Sequence, residues 1–139
     1  MNKMADFVPL IKELTACDKE VILPVKGTSM KPCLKTGDLV VYVKPENIKN
    51  KDIILYQRND GSYVLHRIVK VKKDFYVLAG DNQVYKEYPI YKNQIIAKVS
   101  AFIINDKRKS LKSLKYRVYV FFWSSFFLRR VYHKLKVKG

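Results

Sequence analysis

Cysteine, histidine and acidic residues are scarce in this chain. Its 139 residues include two cysteines and two histidines. Two thiols cannot build a disulfide framework, and a zinc site would lack ligands because the only histidines are His66 and His133. We therefore predict reduced thiols at Cys17 and Cys33, and we expect no metal and no other cofactor.

The shortage of acidic residues leaves a large positive charge. Twelve Asp and Glu residues stand against 28 Lys and Arg residues, which gives a formal net charge of +16. Such a balance favours an anionic partner, whether nucleic acid, an acidic substrate or an anionic membrane surface. Charge alone does not choose among these partners, and much of the excess lies after residue 106.

Long apolar runs are absent as well. The N-terminal segment carries charges at Lys3, Asp6, Lys12 and Glu13, so we expect neither a signal peptide nor a membrane anchor there. The uncharged stretch 118–128 is shorter than the roughly 20 apolar residues that a membrane-spanning helix needs. The sequence therefore predicts no full transmembrane span.

The apolar residues that are present suffice for one folded core. They make up 48% of the chain and include ten tyrosines and seven phenylalanines. Residues 4–16 show helical spacing, whereas short β-type runs separated by turn signals follow as far as residue 104. We predict a mainly β fold, with an N-terminal helix in residues 1–20, a β domain over 21–105 and a basic, aromatic tail over 106–139. The predicted strands are 21–26, 38–44, 52–57, 62–72, 74–79 and 95–104.

The tail differs chemically from the β domain. Residues 116–132 combine many aromatic side chains with Arg129 and Arg130. A helix of this composition suits the interface of an anionic bilayer, so we predict peripheral membrane contact through residues 116–132. The basic tail and the expected lack of an export signal favour the cytoplasmic face. The alternative is a helix whose aromatic side chains pack on the domain.

One hexapeptide, residues 27–32, is built to present a serine. Gly27 permits a bend without a Cβ clash, and Pro32 fixes φ and prevents the turn from continuing as a helix. Ser29 is therefore the candidate nucleophile. It needs a base that accepts its proton and, usually, a third group that orients the base. Cys33 is a rival nucleophile, but a small buried residue there needs no catalytic role.

His66 is the candidate base. It lies on a predicted strand that follows a hairpin turn at residues 59–61. An imidazole with the ordinary pKa of about 6.5 is mostly neutral at pH 7 and can accept a serine proton. A lone histidine among apolar neighbours is more often a core residue, so the assignment depends on the serine motif.

Two carboxylates are candidates for the orienting group. Asp81 lies in the Gly-Asp-Asn sequence of residues 80–82, which closes the predicted strand 74–79, and Glu87 follows six residues after Asp81. Either could accept the Nδ1 hydrogen of His66, fix the tautomer and stabilise the imidazolium. The plain interpretation of Gly-Asp-Asn is a turn. The sequence leaves the choice between the two carboxylates open.

Four segments together resemble, in order and spacing, the successive boxes of type I signal peptidases and of the related LexA-like self-cleaving repressors, within the S24/S26-type serine peptidases. The segments are 27–32, 37–41, 66–68 and 80–82. Most bacterial members have lysine where this chain has His66, which resembles the Ser-His branch of the endoplasmic reticulum, archaea and sporulating bacteria. The resemblance covers residues 21 to about 100. It implies a coiled antiparallel β-sheet and acyl transfer by Ser29 and His66.

The resemblance also implies supporting roles. The Ser29 backbone N–H, with the Thr28 hydroxyl, would stabilise the oxyanion, and Met30 would line the substrate cleft. A turn former at position 28 and a core filler at position 30 are the plain alternatives. Pro32 belongs to the same substrate-side box. In the Ser-His branch an acidic pair follows the Gly-Asp-Asn box; of the two residues at those positions here, only Glu87 is a carboxylate.

The sequence therefore predicts a serine endopeptidase of the signal-peptidase type that cleaves a peptide or a membrane-associated precursor. One alternative is a self-cleaving repressor, which would explain the charge. The 20 residues before the β domain are too few for a helix-turn-helix module, so we expect no nucleic-acid partner. Another alternative is a catalytically inactive, peptide-binding module at a membrane surface.

Overall fold

The computed structural model describes residues 3–123 and 126–138, and most of them belong to one antiparallel sheet. The neighbouring strands follow the order β1-β2-β7-β3-β4-β5-β6, with β8 beside β7. The predicted mainly β fold with short terminal helices is confirmed. The strands are β1 Val21–Pro24, β2 Leu39–Val43, β3 Ile53–Gln57, β4 Tyr63–Val71, β5 Tyr76–Ala79, β6 Glu87–Ile90, β7 Ile95–Ile104 and β8 Lys107–Ser110.

The central strands are buried on both faces. In β3, residues 53–56 are all buried, because successive side chains point to opposite faces and each face has its own apolar cluster. Ile53 and Leu55 pack with the N-terminal helix and β2. Ile54 and Tyr56 pack instead with apolar residues of β4 and β5. Tyr56 of the second cluster contacts His66, the predicted base.

The sheet curls so that strands distant in its order meet. Strand β3 is three places from β6, which in a flat sheet would separate them by about 14 Å. The Tyr56 hydroxyl of β3 nevertheless donates a 2.9 Å hydrogen bond to Glu87 of β6. The coiled form of the sheet therefore brings residues from both ends of the β3–β6 half into one site.

Three α-helices flank the sheet in the described part of the chain, apart from a short 3-10 turn at Lys92–Gln94. They are α1 Met4–Ala16, α2 Leu114–Trp123 and α3 Phe126–Lys138. Val8 and Ile11 of α1 are buried in the first apolar cluster, as the helical spacing in residues 4–16 predicts. No helix in residues 3–123 and 126–138 is both long and apolar enough to cross a membrane.

The tail packs on the sheet with some of its aromatic residues and exposes others. Tyr116 of α2 makes an edge contact with Phe102 of β7, with ring centroids 5.5 Å apart. Phe121 and Phe122 are 67% and 54% exposed. The sheet itself continues through β8 to Ser110, past the predicted domain boundary at residue 105.

Candidate active site

The loop that carries Ser29 bends at Gly27 and is held in place by a hydrogen bond and by one buried side chain. Gly27 has a φ of +81°, which favours glycine, and its carbonyl accepts a 2.6 Å hydrogen bond from the Thr36 hydroxyl. Met30 is only 2% exposed and lies in the first apolar cluster. The loop thus inserts one side chain into the core and leaves Ser29, its neighbour, half-buried at the surface.

The loop at residues 80–82 binds directly to the serine loop. The backbone N–H of Asn82 donates to the Ser29 carbonyl at 2.8 Å, and Asn82 Nδ2 donates to the Thr28 carbonyl at 3.1 Å. A Cβ at Gly80 would lie 2.5 Å from the Ser29 carbonyl oxygen and 3.1 Å from His66 Nε2. Gly80 therefore lies between the backbone of Ser29 and the ring of His66, in a space that admits only glycine.

His66, the predicted base, is buried and electrically neutral. Its side chain is 2% exposed, and Nδ1 lies 3.2 Å from the Tyr56 hydroxyl oxygen. Burial lowers the pKa of His66 to about 4, with a smaller opposing effect from Glu87 and a reinforcing one from Arg58. The imidazole is therefore uncharged at neutral pH, and one of its two ring nitrogens can accept a proton.

Glu87 is connected to His66 through Tyr56. The Glu87 carboxylate accepts the Tyr56 hydroxyl at 2.9 Å and binds Arg58 through two hydrogen bonds of 2.9 and 3.0 Å. Burial by itself would raise the pKa of Glu87, but the hydrogen bonds from Arg58 and Tyr56 outweigh it and lower the pKa. We call Glu87, Arg58 and Tyr56 the Glu87 cluster.

Asp81 is fully buried and lies in a different group of side chains. Its carboxylate accepts two 2.9 Å hydrogen bonds from Arg67 and one of 2.8 Å from the Tyr119 hydroxyl. Arg129 Nη2 lies 3.7 Å from Asp81 Oδ1. Burial by itself would lower the pKa of Arg67. The charge of Asp81 and its hydrogen bonds outweigh burial and raise the pKa of Arg67 well above the ordinary value. We call Asp81, Arg67, Arg129 and Tyr119 the Asp81 cluster.

The C-terminal helices hold the loop that carries Asp81. Trp123 Nε1 donates to the Asp81 carbonyl at 2.6 Å. Arg129 Nη1 donates to the carbonyls of Gly80 and Gln83 at 3.0 and 3.2 Å. This role for Trp123 and Arg129 has no signal in the sequence, because their contacts lie more than 40 positions away along the chain.

An open cleft lies beside Ser29. It has a volume of about 530 Å³, which is enough for a few substrate side chains. Thr28 is on its wall, whereas Met30 is in the core and Pro32 is exposed after a cis peptide bond. The lining consists of Gly27, Thr28, Ser29, Asn82, Gln83, Val84, Tyr85 and His133.

Cys33 is placed on the Asp81 side of the site. Its Sγ accepts a long contact of 3.6 Å from Arg67 Nη2. Burial raises the pKa of the Cys33 thiol to about 12, despite the opposing effect of Arg67. The thiol is therefore protonated at neutral pH and is a poor nucleophile. Across residues 3–123 and 126–138, no group of three or more His, Cys, Asp or Glu side chains is arranged to hold a metal ion.

A family model described as Peptidase S24-like matches residues 1–100. This match covers more than half of the chain and confirms the resemblance to S24/S26-type serine peptidases. Neither a curated protein nor a solved structure matches the chain significantly.

Proposed function

The chain belongs to the Peptidase S24-like family, and we propose that it is a serine endopeptidase of the signal-peptidase type. Its substrate would be a peptide or a membrane-associated precursor. One observation supports this most strongly: the Ser29 backbone carbonyl oxygen and His66 Nε2 lie 2.5 and 3.1 Å from the position that a Cβ would take at Gly80, so the backbone of Ser29 is close to the His66 ring. The half-buried serine also borders an open cleft in which a peptide can lie.

The proposed reaction is acyl transfer. Ser29 Oγ attacks the peptide carbonyl carbon while His66 Nε2 takes the hydroxyl proton. The C–N bond then breaks, and His66 returns that proton to the leaving amine. A water molecule repeats the sequence to release the acid and free Ser29. The Ser29 backbone N–H and the Thr28 hydroxyl would stabilise the oxyanion.

Acylation of Ser29 tests the proposal without knowledge of the substrate. A serine-directed acylating probe should label the wild-type protein at Ser29, as located by mass spectrometry. Ser29→Ala should abolish labelling, and His66→Ala should slow it by about 10³-fold or more because the base is lost. Ser62→Ala, at an exposed serine in the β3–β4 hairpin, is the matched control and should label normally. Undiminished labelling of folded Ser29→Ala and His66→Ala proteins would overturn the proposal.

Membrane contact through the tail is part of the same proposal. The exposed apolar residues of α2 and α3 include Val118, Phe121, Phe122, Leu128 and Val131. Exposed basic residues lie among them on the same helices, and the chain as a whole has a charge of +16. Apolar side chains beside cations suit an anionic bilayer surface, and we place that surface on the cytoplasmic side.

Vesicle flotation tests the membrane contact. The protein should float with vesicles that contain anionic phospholipid, less so at high salt, and not with neutral vesicles. Replacing Phe121 and Phe122 by serine should reduce flotation while leaving the docking residues Tyr119 and Trp123 in place. Leu10→Ser, at a 48% exposed position of α1, is the control. Equal flotation of the double variant and the wild type would contradict the contact.

A repressor-like role is the second candidate. It is favoured by the family itself, which includes self-cleaving repressors, and by the charge of +16. Two measurements separate it from the first candidate. Salt-sensitive binding of duplex DNA together with cleavage of the chain's own backbone would favour the repressor role. Cleavage of an added peptide without DNA binding would favour the peptidase.

A further inference from the structure

We propose that Tyr56 is a positioning residue that transmits the orienting effect of Glu87 to His66. This inference rests on the proposed function, in which His66 is the base. The strand register supports it: Ile54 of β3 is paired with His66 of β4, so Tyr56 is the diagonal neighbour of His66 on the same face. The two rings have centroids 6.0 Å apart, and the hydroxyl reaches Nδ1.

The direction of the hydrogen bonds follows from the donors available. Glu87 is ionised and can only accept, so the single proton of the Tyr56 hydroxyl is donated to Glu87 Oε2 at 2.9 Å. The hydroxyl oxygen is then free to accept. His66 Nδ1, at 3.2 Å, must therefore carry the hydrogen and donate it to Tyr56. This tautomer leaves Nε2 unprotonated at the Ser29 side, as a base requires.

Arg58 fixes the far end of this hydrogen-bonded chain. Its two hydrogen bonds hold the Glu87 carboxylate in one orientation, with Oε2 turned to Tyr56. When His66 takes the serine proton, the new positive charge is stabilised through the Tyr56 hydroxyl by the Glu87 carboxylate. No proton moves from Tyr56, whose pKa is raised by burial and by the adjacent Glu87.

The tautomer of His66 is the direct test, because it does not depend on activity. Proton–nitrogen correlation spectra of the ¹⁵N-labelled protein should show His66 protonated at Nδ1, with His66→Asn used to assign the signal. In Tyr56→Phe the signal should move toward the Nε2–H form. Tyr42→Phe removes a hydroxyl from a tyrosine that is 1% exposed in the other apolar cluster. This control should leave the His66 tautomer unchanged.

Acylation rates test whether Glu87 acts through Tyr56. Tyr56→Phe and Glu87→Gln should each slow labelling of Ser29 about tenfold, the loss expected for one hydrogen bond to the base. In the Tyr56→Phe background, Glu87→Gln should have little further effect, because the connection is already broken. The acidic limb of the pH profile should also move to lower pH in Glu87→Gln, because the negative charge of Glu87, like that of Asp81, favours the imidazolium form of His66, whereas Arg58 opposes it.

The outcomes are separable. An unchanged Nδ1–H tautomer in Tyr56→Phe, or a full effect of Glu87→Gln in that background, would overturn the role of Tyr56. A tautomer shift in Tyr56→Phe, together with a wild-type protein that is never acylated at Ser29, would support the role of Tyr56 and overturn the proposed peptidase function.

Discussion

The Asp81 cluster and the Glu87 cluster lie on opposite faces of β4, which sends His66 to one face and Arg67 to the other. Asp81 is fully buried and binds two arginines, whereas the Glu87 side chain is 26% exposed and binds one. Within the described residues, no hydrogen bond joins Asp81 to His66. Glu87 is one hydroxyl group away from it.

This difference indicates that the Asp81 cluster stabilises the structure, whereas the Glu87 cluster orients the base. A buried carboxylate between two arginines cannot be removed without leaving uncompensated charge, so the Asp81 cluster fixes structure. It ties the C-terminal helices to the loop that holds Ser29. A partly exposed carboxylate such as Glu87 contributes little to stability but can still orient a base. We therefore expect substitutions in the two clusters to affect different properties.

The largest effect should come from Asp81→Asn. The change leaves Arg67 and Arg129 buried without a countercharge, which should lower the free energy of unfolding by about 3 to 5 kcal/mol. Urea unfolding followed by circular dichroism measures it. Asp52→Asn is the control, because the Asp52 carboxylate accepts a hydrogen bond from the backbone N–H of Lys49 in a loop, and it should change stability much less. A loss for Asp81→Asn no greater than that of the control would erase the distinction between the clusters.

His66 itself should make stability depend on pH. Its pKa is lowered to about 4 in the folded protein, so the unfolded chain binds the proton more tightly. Stability should therefore fall as the pH drops below about 6.5, with a total loss of about 3 kcal/mol once the pH is below 4. Urea unfolding of the wild type and of His66→Asn at pH 7 and 4.5 isolates this contribution from other groups. Parallel losses in the two proteins would show that neutral His66 does not contribute.

Glu87→Gln should have the reverse profile of Asp81→Asn. Because the Arg58–Glu87 pair is partly exposed, the free energy of unfolding should change by about 1 kcal/mol or less. Ser29 acylation should nevertheless slow about tenfold. Glu46→Gln, which breaks an exposed pair with Lys44, should leave acylation unchanged. If Glu87→Gln unfolds the protein as readily as Asp81→Asn does, the Glu87 cluster is structural too.

The sequence predicts most of the sheet because hydrophobic runs and turn residues are local signals. The predicted strand 62–72 encloses β4, and the predicted strand 95–104 has the bounds of β7. The predicted helix 4–16 has the bounds of α1. Strands β6 and β8 have no such signal. β6 contains Pro89, which is unusual inside a strand, and all four residues of β8 are exposed and largely basic.

The part of the candidate site that lies in local sequence motifs could be predicted from the sequence. The backbone carbonyl of Ser29 and the ring of His66 both lie against the loop at 80–82, and the catalytic roles of Ser29 and His66 stay predictions. Tyr56 was missed although the hairpin register places it diagonally opposite His66. Its link to Glu87 could not be inferred, because it requires the unrecognised strand β6 and the curl of the whole sheet. Arg129 is likewise brought to Asp81 only by the packing of α3.

The smallest effect should come from changes at Cys33, whose reactivity tests whether the Asp81 side of the site takes part in the chemistry. Cys33 is a potential nucleophile, yet it lies against Arg67 in the structural half of the site. Burial holds its pKa near 12, so at pH 8 almost no thiolate is present, and iodoacetamide should modify the exposed Cys17 far faster. Cys33→Ala should leave Ser29 acylation within about twofold of wild type, since no reacting group is lost. Rapid alkylation of Cys33 in the folded protein, or loss of acylation in Cys33→Ala, would mean that the Asp81 side takes part in the chemistry.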